Sequence, residues 1–228
     1  MQGSDQMVRP KISASLMCAD LLDISKELKV LEESKIDYIH YDIMDGSFVN
    51  NISLGIHLFN QIREVSKLPM DVHFLTNRPS DYIEQMDIRK GDIVSIHVES
   101  DVDIGKISDY VKGRGVKFGL AIRVDTEIKE LIDKCNKADV LLVMMIPAGF
   151  PGVPMAADAV DRLKAIRAAK DKVNPNIELE VDGNISFDNA KELYDNGADI
   201  FVAGSSSIYS GKGTVTNNIG VLRSSLLE

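Results

Sequence analysis

The run His40-Tyr41-Asp42-Ile43-Met44-Asp45-Gly46 carries the first chemistry in the chain. Side chains alternate along an extended strand, so His40, Asp42 and Met44 share one side while Tyr41 and Ile43 take the other. Ionisable groups on an inward side are costly unless they are paired or bound to an ion. A second imidazole follows in Asp71-Val72-His73-Phe74, and a further carboxylate ends Glu180-Val181-Asp182-Gly183. A strand carrying His73 beside the one carrying His40 and Asp42 brings it to about 5 Å from them. Two imidazoles and two carboxylates suit one divalent zinc, manganese, iron or cobalt ion, with magnesium admissible, better than calcium, which prefers oxygen donors alone. A lone His40 would be unremarkable; four ligand-type residues at three strand ends are the signal.

The elements that must position these residues are short β-rich runs alternating with amphipathic stretches. Strands are expected at 11–14, 38–43, 70–74, 93–97, 117–122, 140–145, 178–181 and 200–203, each followed by a helical pattern. Eight such units of about 27 residues each, with no GxGxxG turn after the first strand, predict a single (β/α)8 TIM barrel rather than an open doubly wound sheet. Helix punctuation agrees: Asp23 or Ser25 can cap the first helix, Pro79 opens the third and Gly197 closes the seventh. In this fold the chemistry sits at the strand C-termini, where His40, Asp42, His73 and Asp182 fall. Residues 1–7 are polar and aperiodic and are expected to be a disordered tail or a cloning remnant, leaving 8–228 as the barrel domain.

A formal net charge of -9 and a pI near 5.0 argue against nucleic acid or an anionic membrane as partner, and point to a small-molecule substrate. No apolar run approaches the length of a bilayer span and no export signal is evident, so a cytoplasmic enzyme is expected. Cys18 and Cys135 have no metal-site spacing and are expected as free thiols. His57 should begin a surface helix, and His97, at a strand end, is expected as a hydrogen-bonded group behind the ligands rather than a ligand. Asp20 and Asp45 are expected as turn or capping groups.

Five segments together resemble the ribulose-phosphate 3-epimerase family over nearly the whole chain: Ser13-Ala14-Ser15-Leu16-Met17-Cys18-Ala19-Asp20, the run from His40 to Gly46, Asp71-Val72-His73, Val181-Asp182-Gly183 and Ala203-Gly204-Ser205-Ser206. The first of these, with Asn77-Arg78-Pro79-Ser80-Asp81-Tyr82-Ile83, looks nearest to D-allulose-6-phosphate 3-epimerases. The resemblance implies metal ligation by His40, Asp42, His73 and Asp182, with Asp42 and Asp182 also moving the proton, a hydroxyl contact from Ser15, and Met17, Met44 and Met144 flanking the intermediate. It also implies a homo-oligomer. The chemistry accounts for the residue types. A proton next to a ketone leaves only if charge on the carbonyl oxygen is stabilised, and inversion needs one acid/base group on each face.

Gly183 and the Gly204-Ser205-Ser206-Ser207 run, after strands seven and eight, are placed to present N–H groups to a phosphate. The loop at 147–154, with Gly149 and Gly152, resembles the family's glycine-rich flap. It departs at Pro147, Ala148, Pro151, Val153 and Pro154, which predicts a stiffer lid. Ser47, Asn50, Leu75 and Asn184 are further departures that alter the pocket wall and touch no expected ligand. The preferred expectation is interconversion of D-allulose 6-phosphate and D-fructose 6-phosphate, and the alternative is the D-ribulose 5-phosphate and D-xylulose 5-phosphate pair. A barrel lyase or decarboxylase would need a lysine in the mouth, and Lys117 starts its strand at the opposite face. A catalytically idle sugar-phosphate binder is the remaining competitor.

Overall fold

The computed structural model describes residues 9–149 and 152–228; the expected tail at 1–7 lies outside them, as do Phe150 and Pro151 of the flap. The described residues form strands β1 (Lys11–Ser15), β2 (Tyr38–Met44), β3 (Met70–Leu75), β4 (Ile93–His97), β5 (Lys117–Ile122), β6 (Val140–Met144), β7 (Glu178–Asp182) and β8 (Ile200–Ala203). Each pairs in parallel with the next and β8 closes on β1, so the expected (β/α)8 barrel is the fold. Helices α1 (Ile24–Glu33), α2 (Ile56–Val65), α3 (Ser80–Ile83), α4 (Ile104–Lys112), α5 (Ile128–Lys134), α6 (Ala159–Val173), α7 (Ala190–Asp195) and α8 (Val215–Ser225) cover the outside. Four strands run one residue past their expected ends because Ser15, Met44, Leu75 and Asp182 still pair across the ladder. β6 stops one residue earlier, at Met144.

Outward side chains such as Ile12, Ala14, Ile39 and Tyr41 join the core between strands and helices. Inward side chains stack in layers drawn alternately from even and odd strands. The lowest complete layer is apolar, formed by Tyr38, Ile93, Val140 and Ile200. Following the strand registers upward gives Ser13, Asp71, Gly119 and Glu180, then His40, Ser95, Leu142 and Val202. Above these lie Ser15, His73, Ala121 and Asp182, and at the mouth Asp42, His97, Met144 and Gly204. The floor is closed by Lys11 and Lys117, both bonded to Glu178, which puts Lys117 at the face away from the mouth.

Local punctuation follows the expected chemistry with one correction. Pro79 precedes α3, and Gly197 follows α7 at φ +99°, a left-handed turn that suits glycine. Asp23 stands at the start of α1 but its carboxylate makes no capping bond, and Ser25 lies inside the helix. Among the described residues, no helix is long and apolar enough to cross a membrane.

Candidate active site

The ends of β2, β3 and β7 bring His40, Asp42, His73 and Asp182 together, as their spacing implied. Asp42 Oδ1 lies 3.2 Å from His40 Nε2 and 3.1 Å from His73 Nδ1. Asp182 Oδ2 lies 3.9 Å from His40 Nε2 and 3.6 Å from His73 Nδ1. One ligand atom from each of the four residues falls within 4.8 Å of the others. A tetrahedron with ligand bonds of about 2.0–2.1 Å has edges of about 3.3 Å, so these separations bracket what a zinc-sized ion requires.

The layer below sets the rings. Nδ1 of His40 donates to Asp71 Oδ2 at 2.6 Å, and Ser13 Oγ donates to the same oxygen at 2.7 Å. His40 is therefore anchored through Nδ1 and turns Nε2 toward Asp42 and Asp182. Burial opposes a charge on His40, yet the Asp42 and Asp71 carboxylates win and hold its pKa well above the ordinary value. Asp42 is also buried, but His40 and His73 hold it below the usual carboxylate range. Asp182 behaves oppositely: burial, with the Asp42 charge adding to it against the pull of His40 and His73, pushes it up to about 6. Glu180, beneath, is pushed well above its ordinary value by burial and by Asp71.

Above the ligands a cavity of about 540 Å³, counting its open mouth, receives both carboxylates while the two imidazoles stay fully buried behind them. Its wall includes Ser15, Met44, Met144, Gly149, Gly152, Gly183, Gly204 and Ser205, the whole expected substrate-contacting set, together with Met17 and Cys18. Gly183 has φ +113°, and a Cβ there would sit 2.4 Å from Ile146 Cγ1, so this turn requires glycine. No lysine or arginine lines the cavity among the described residues.

The family comparison matches the description "Ribulose-phosphate 3 epimerase family" over residues 11–209. The chain belongs to the ribulose-phosphate 3-epimerase family. It is accordingly an isomerase-class epimerase. Its relatives include ribulose-phosphate 3-epimerases of Treponema pallidum, 31% identical over 88% of this chain and 91% of the relative, and of Bacillus subtilis, 31% identical over 86% and 90%. Among solved structures, 3-keto-L-gulonate-6-phosphate decarboxylase from Vibrio cholerae superposes with TM-score 0.67 at 12% identity, covering 96% of this chain and 98% of that one. N-(5'-phosphoribosyl)anthranilate isomerase from Pyrococcus furiosus gives 0.64 at 14% identity over 95% and 98%. At such identities the likeness shows the barrel alone.

Residues outside the expected set also contribute to this candidate site. Asn51 Nδ2 donates to the Gly149 carbonyl at 2.7 Å and Asn184 Nδ2 to the Val153 carbonyl at 3.1 Å, so amides from two other loops bond to the flap at Gly149 and at Val153. Asn184 was singled out only as a departure, and Asn51 carried no signal. Asp71 was visible only as part of the His73 motif, although its place two residues before His73 puts it on the same inward side. His57 is exposed near the start of α2, and Cys18 and Cys135 are free thiols, as expected. Asp20 accepts from Leu22 N–H, and Asp45 from Ser47 and Tyr82.

Proposed function

We propose that the protein inverts C3 of a phosphorylated ketose, with D-ribulose 5-phosphate and D-xylulose 5-phosphate as its pair. The observation that carries this reading is that Asp42 and Asp182 both face the cavity while sharing His40 and His73 behind them. These four residues would hold a divalent metal, whose Lewis acidity supplies stabilisation of several kcal/mol to negative charge developing on the ketose oxygen. Asp42 and Asp182, reaching the cavity from different strands, would take the C3 proton from one face and deliver one to the other. The reverse reaction exchanges the roles. Ser15 is placed to bond a substrate hydroxyl, and Met44 and Met144 present apolar, polarizable surface that excludes water from the reacting carbon.

The phosphate would be held by backbone N–H groups and hydroxyls around Gly183, Gly204 and Ser205, with Gly149 and Gly152 in the flap above. A second reading, D-allulose 6-phosphate to D-fructose 6-phosphate, is favoured by Ser15, Met17 and Cys18. These belong to the segment that looks nearest to the hexulose enzymes, and they lie on the cavity wall. The names of the curated relatives favour the pentulose pair and reverse the order of preference drawn from that segment.

The deciding experiment incubates metal-loaded protein separately with ribulose 5-phosphate and allulose 6-phosphate in D2O and follows epimer formation and C3 deuteration by NMR. Faster turnover of the pentulose supports the first reading, and faster turnover of the hexulose replaces it with the second. Binding of both without exchange refutes the epimerase reading and leaves a sugar-phosphate binder.

A further inference from the structure

Behind His73 a hydrogen-bonded line runs away from the ligand cluster. His73 Nε2 lies 2.9 Å from His97 Nε2, and His97 Nδ1 lies 3.1 Å from Glu99 Oε2. The His73 and His97 ring planes are 27° apart with centroids 5.1 Å apart, a spacing that fits two imidazoles joined edge to edge through their Nε2 atoms. The other Glu99 oxygen, Oε1, accepts from Arg123 N–H at 3.0 Å and from the Thr126 hydroxyl. Phe48 packs on His97 with ring centroids 4.6 Å apart, and the Arg123 guanidinium lies 5.5 Å from the Phe48 ring. His97 is fully buried.

We propose that Glu99 and His97 are positioning residues that select Nδ1 of His73 as its metal-binding atom, an inference that rests on the metal-centre reading above. The direction of every bond follows from the far end. A carboxylate can only accept, so His97 Nδ1 carries the hydrogen that it gives to Glu99. Neutral His97 then has a bare Nε2, which accepts from His73 Nε2–H. His73, with its hydrogen committed there, turns a lone pair at Nδ1 toward Asp42 and Asp182. The two ligand histidines are thus fixed in opposite senses: Asp71 leaves His40 with Nε2 free, and Glu99 leaves His73 with Nδ1 free. Neither His97 nor Glu99 touches the reacting atoms.

Glu99→Gln tests the line because the amide cannot serve both neighbours unchanged. Its carbonyl oxygen is required by Arg123 N–H, so its NH2 faces His97 Nδ1. That moves the His97 hydrogen to Nε2, where it meets His73 Nε2–H head on. The measurement is zinc affinity by chelator competition, together with long-range proton–nitrogen correlation spectra of protein labelled with ¹⁵N-histidine. Wild type should show His97 protonated at Nδ1 and His73 at Nε2 with Nδ1 bound to zinc. Glu99→Gln should lose about 10- to 100-fold in zinc affinity with the His97 hydrogen moved to Nε2, and Glu99→Asp should recover part of the loss. Wild-type His97 protonated at Nε2, or Glu99→Gln binding zinc within twofold of wild type, overturns the proposal. If wild type binds no zinc at all, the metal-centre reading fails separately, while the His97 tautomer in the same spectra still decides whether Glu99 directs the line. Should Glu99→Gln fail to fold, the wild-type tautomers and the Glu99→Asp affinity decide it.

Discussion

Replacing Gly119 by alanine is the sharpest test of the layered interior. A Cβ at this position would lie 2.0 Å from Ser95 Oγ, 2.9 Å from Ser95 Cβ and 3.1 Å from Ser95 Cα. Rotating the hydroxyl away costs no hydrogen bond, since Ser95 Oγ has no partner among the described residues, but the added methyl still presses on the β-carbon and the backbone of Ser95. Strand β4 must therefore move, and overpacking of this kind costs about 1–3 kcal/mol. For a chain of this size that is roughly 2–12 °C in melting temperature, from about 2–4 °C per kcal/mol. Thermal and urea unfolding of Gly119→Ala, Ser95→Gly and the double variant form a cycle, with a favourable coupling of about 1–3 kcal/mol expected in the double variant. A Gly119→Ala protein within about 0.5 kcal/mol of wild type, or a coupling near zero, would refute the reasoning, because independent sites add to within roughly that margin.

Three more outcomes follow from the site. Asp182→Asn should keep the fold but lose C3 exchange by at least about 10²- to 10⁴-fold in the deuterium assay, the worth of one positioned acid/base group, and full activity would sink the two-carboxylate mechanism. In chelator-stripped protein the Asp182 carboxyl, pushed up to about 6 when folded against about 3.9 unfolded, contributes stability that is fully present below pH ~4 and lost as pH rises through about 6. The melting temperature of stripped wild type should therefore fall relative to Asp182→Asn between pH 4 and 7, and a constant difference would contradict the shift. Asn51→Ala removes the amide bond to Gly149, worth about 0.5–1.5 kcal/mol, so KM should rise about two- to tenfold and proteolysis within 147–154 should quicken. An unchanged cleavage pattern would show that this bond does not hold the flap.

The four ligand-type residues were legible because the information needed was local. Alternation put His40 and Asp42 on one side, the fold rule put them at a strand end, and the same two arguments found His73 and Asp182. Glu99 and the bond from His97 to His73 were not legible, because they depend on how far β4 is staggered against β3, where His73 pairs with Ser95 rather than with His97. Strand ends moved by one residue for a related reason: Ser15, Met44 and Asp182 owe their last ladder pairings to neighbouring strands and not to their own β-propensity. Asn51 and Asn184 meet the flap only when the barrel closes, and a one-dimensional pattern carries no trace of which loops then touch. Pentulose and hexulose differ by one carbon, so the distinction lies in cavity depth, which no residue type encodes.

The alternation of layers has a consequence for engineering. Asp42 belongs to an even strand and Asp182 to an odd one, so the two carboxylates stand one level apart along the barrel axis by virtue of backbone stagger alone. That offset needs no loop to maintain it. A designed eight-stranded barrel with the same stagger would inherit it from three short strand ends, with Asp71 kept beneath His40 to aim its ring. The flap, pinned by amides from loops with no fixed stagger, would have to be designed anew for each host.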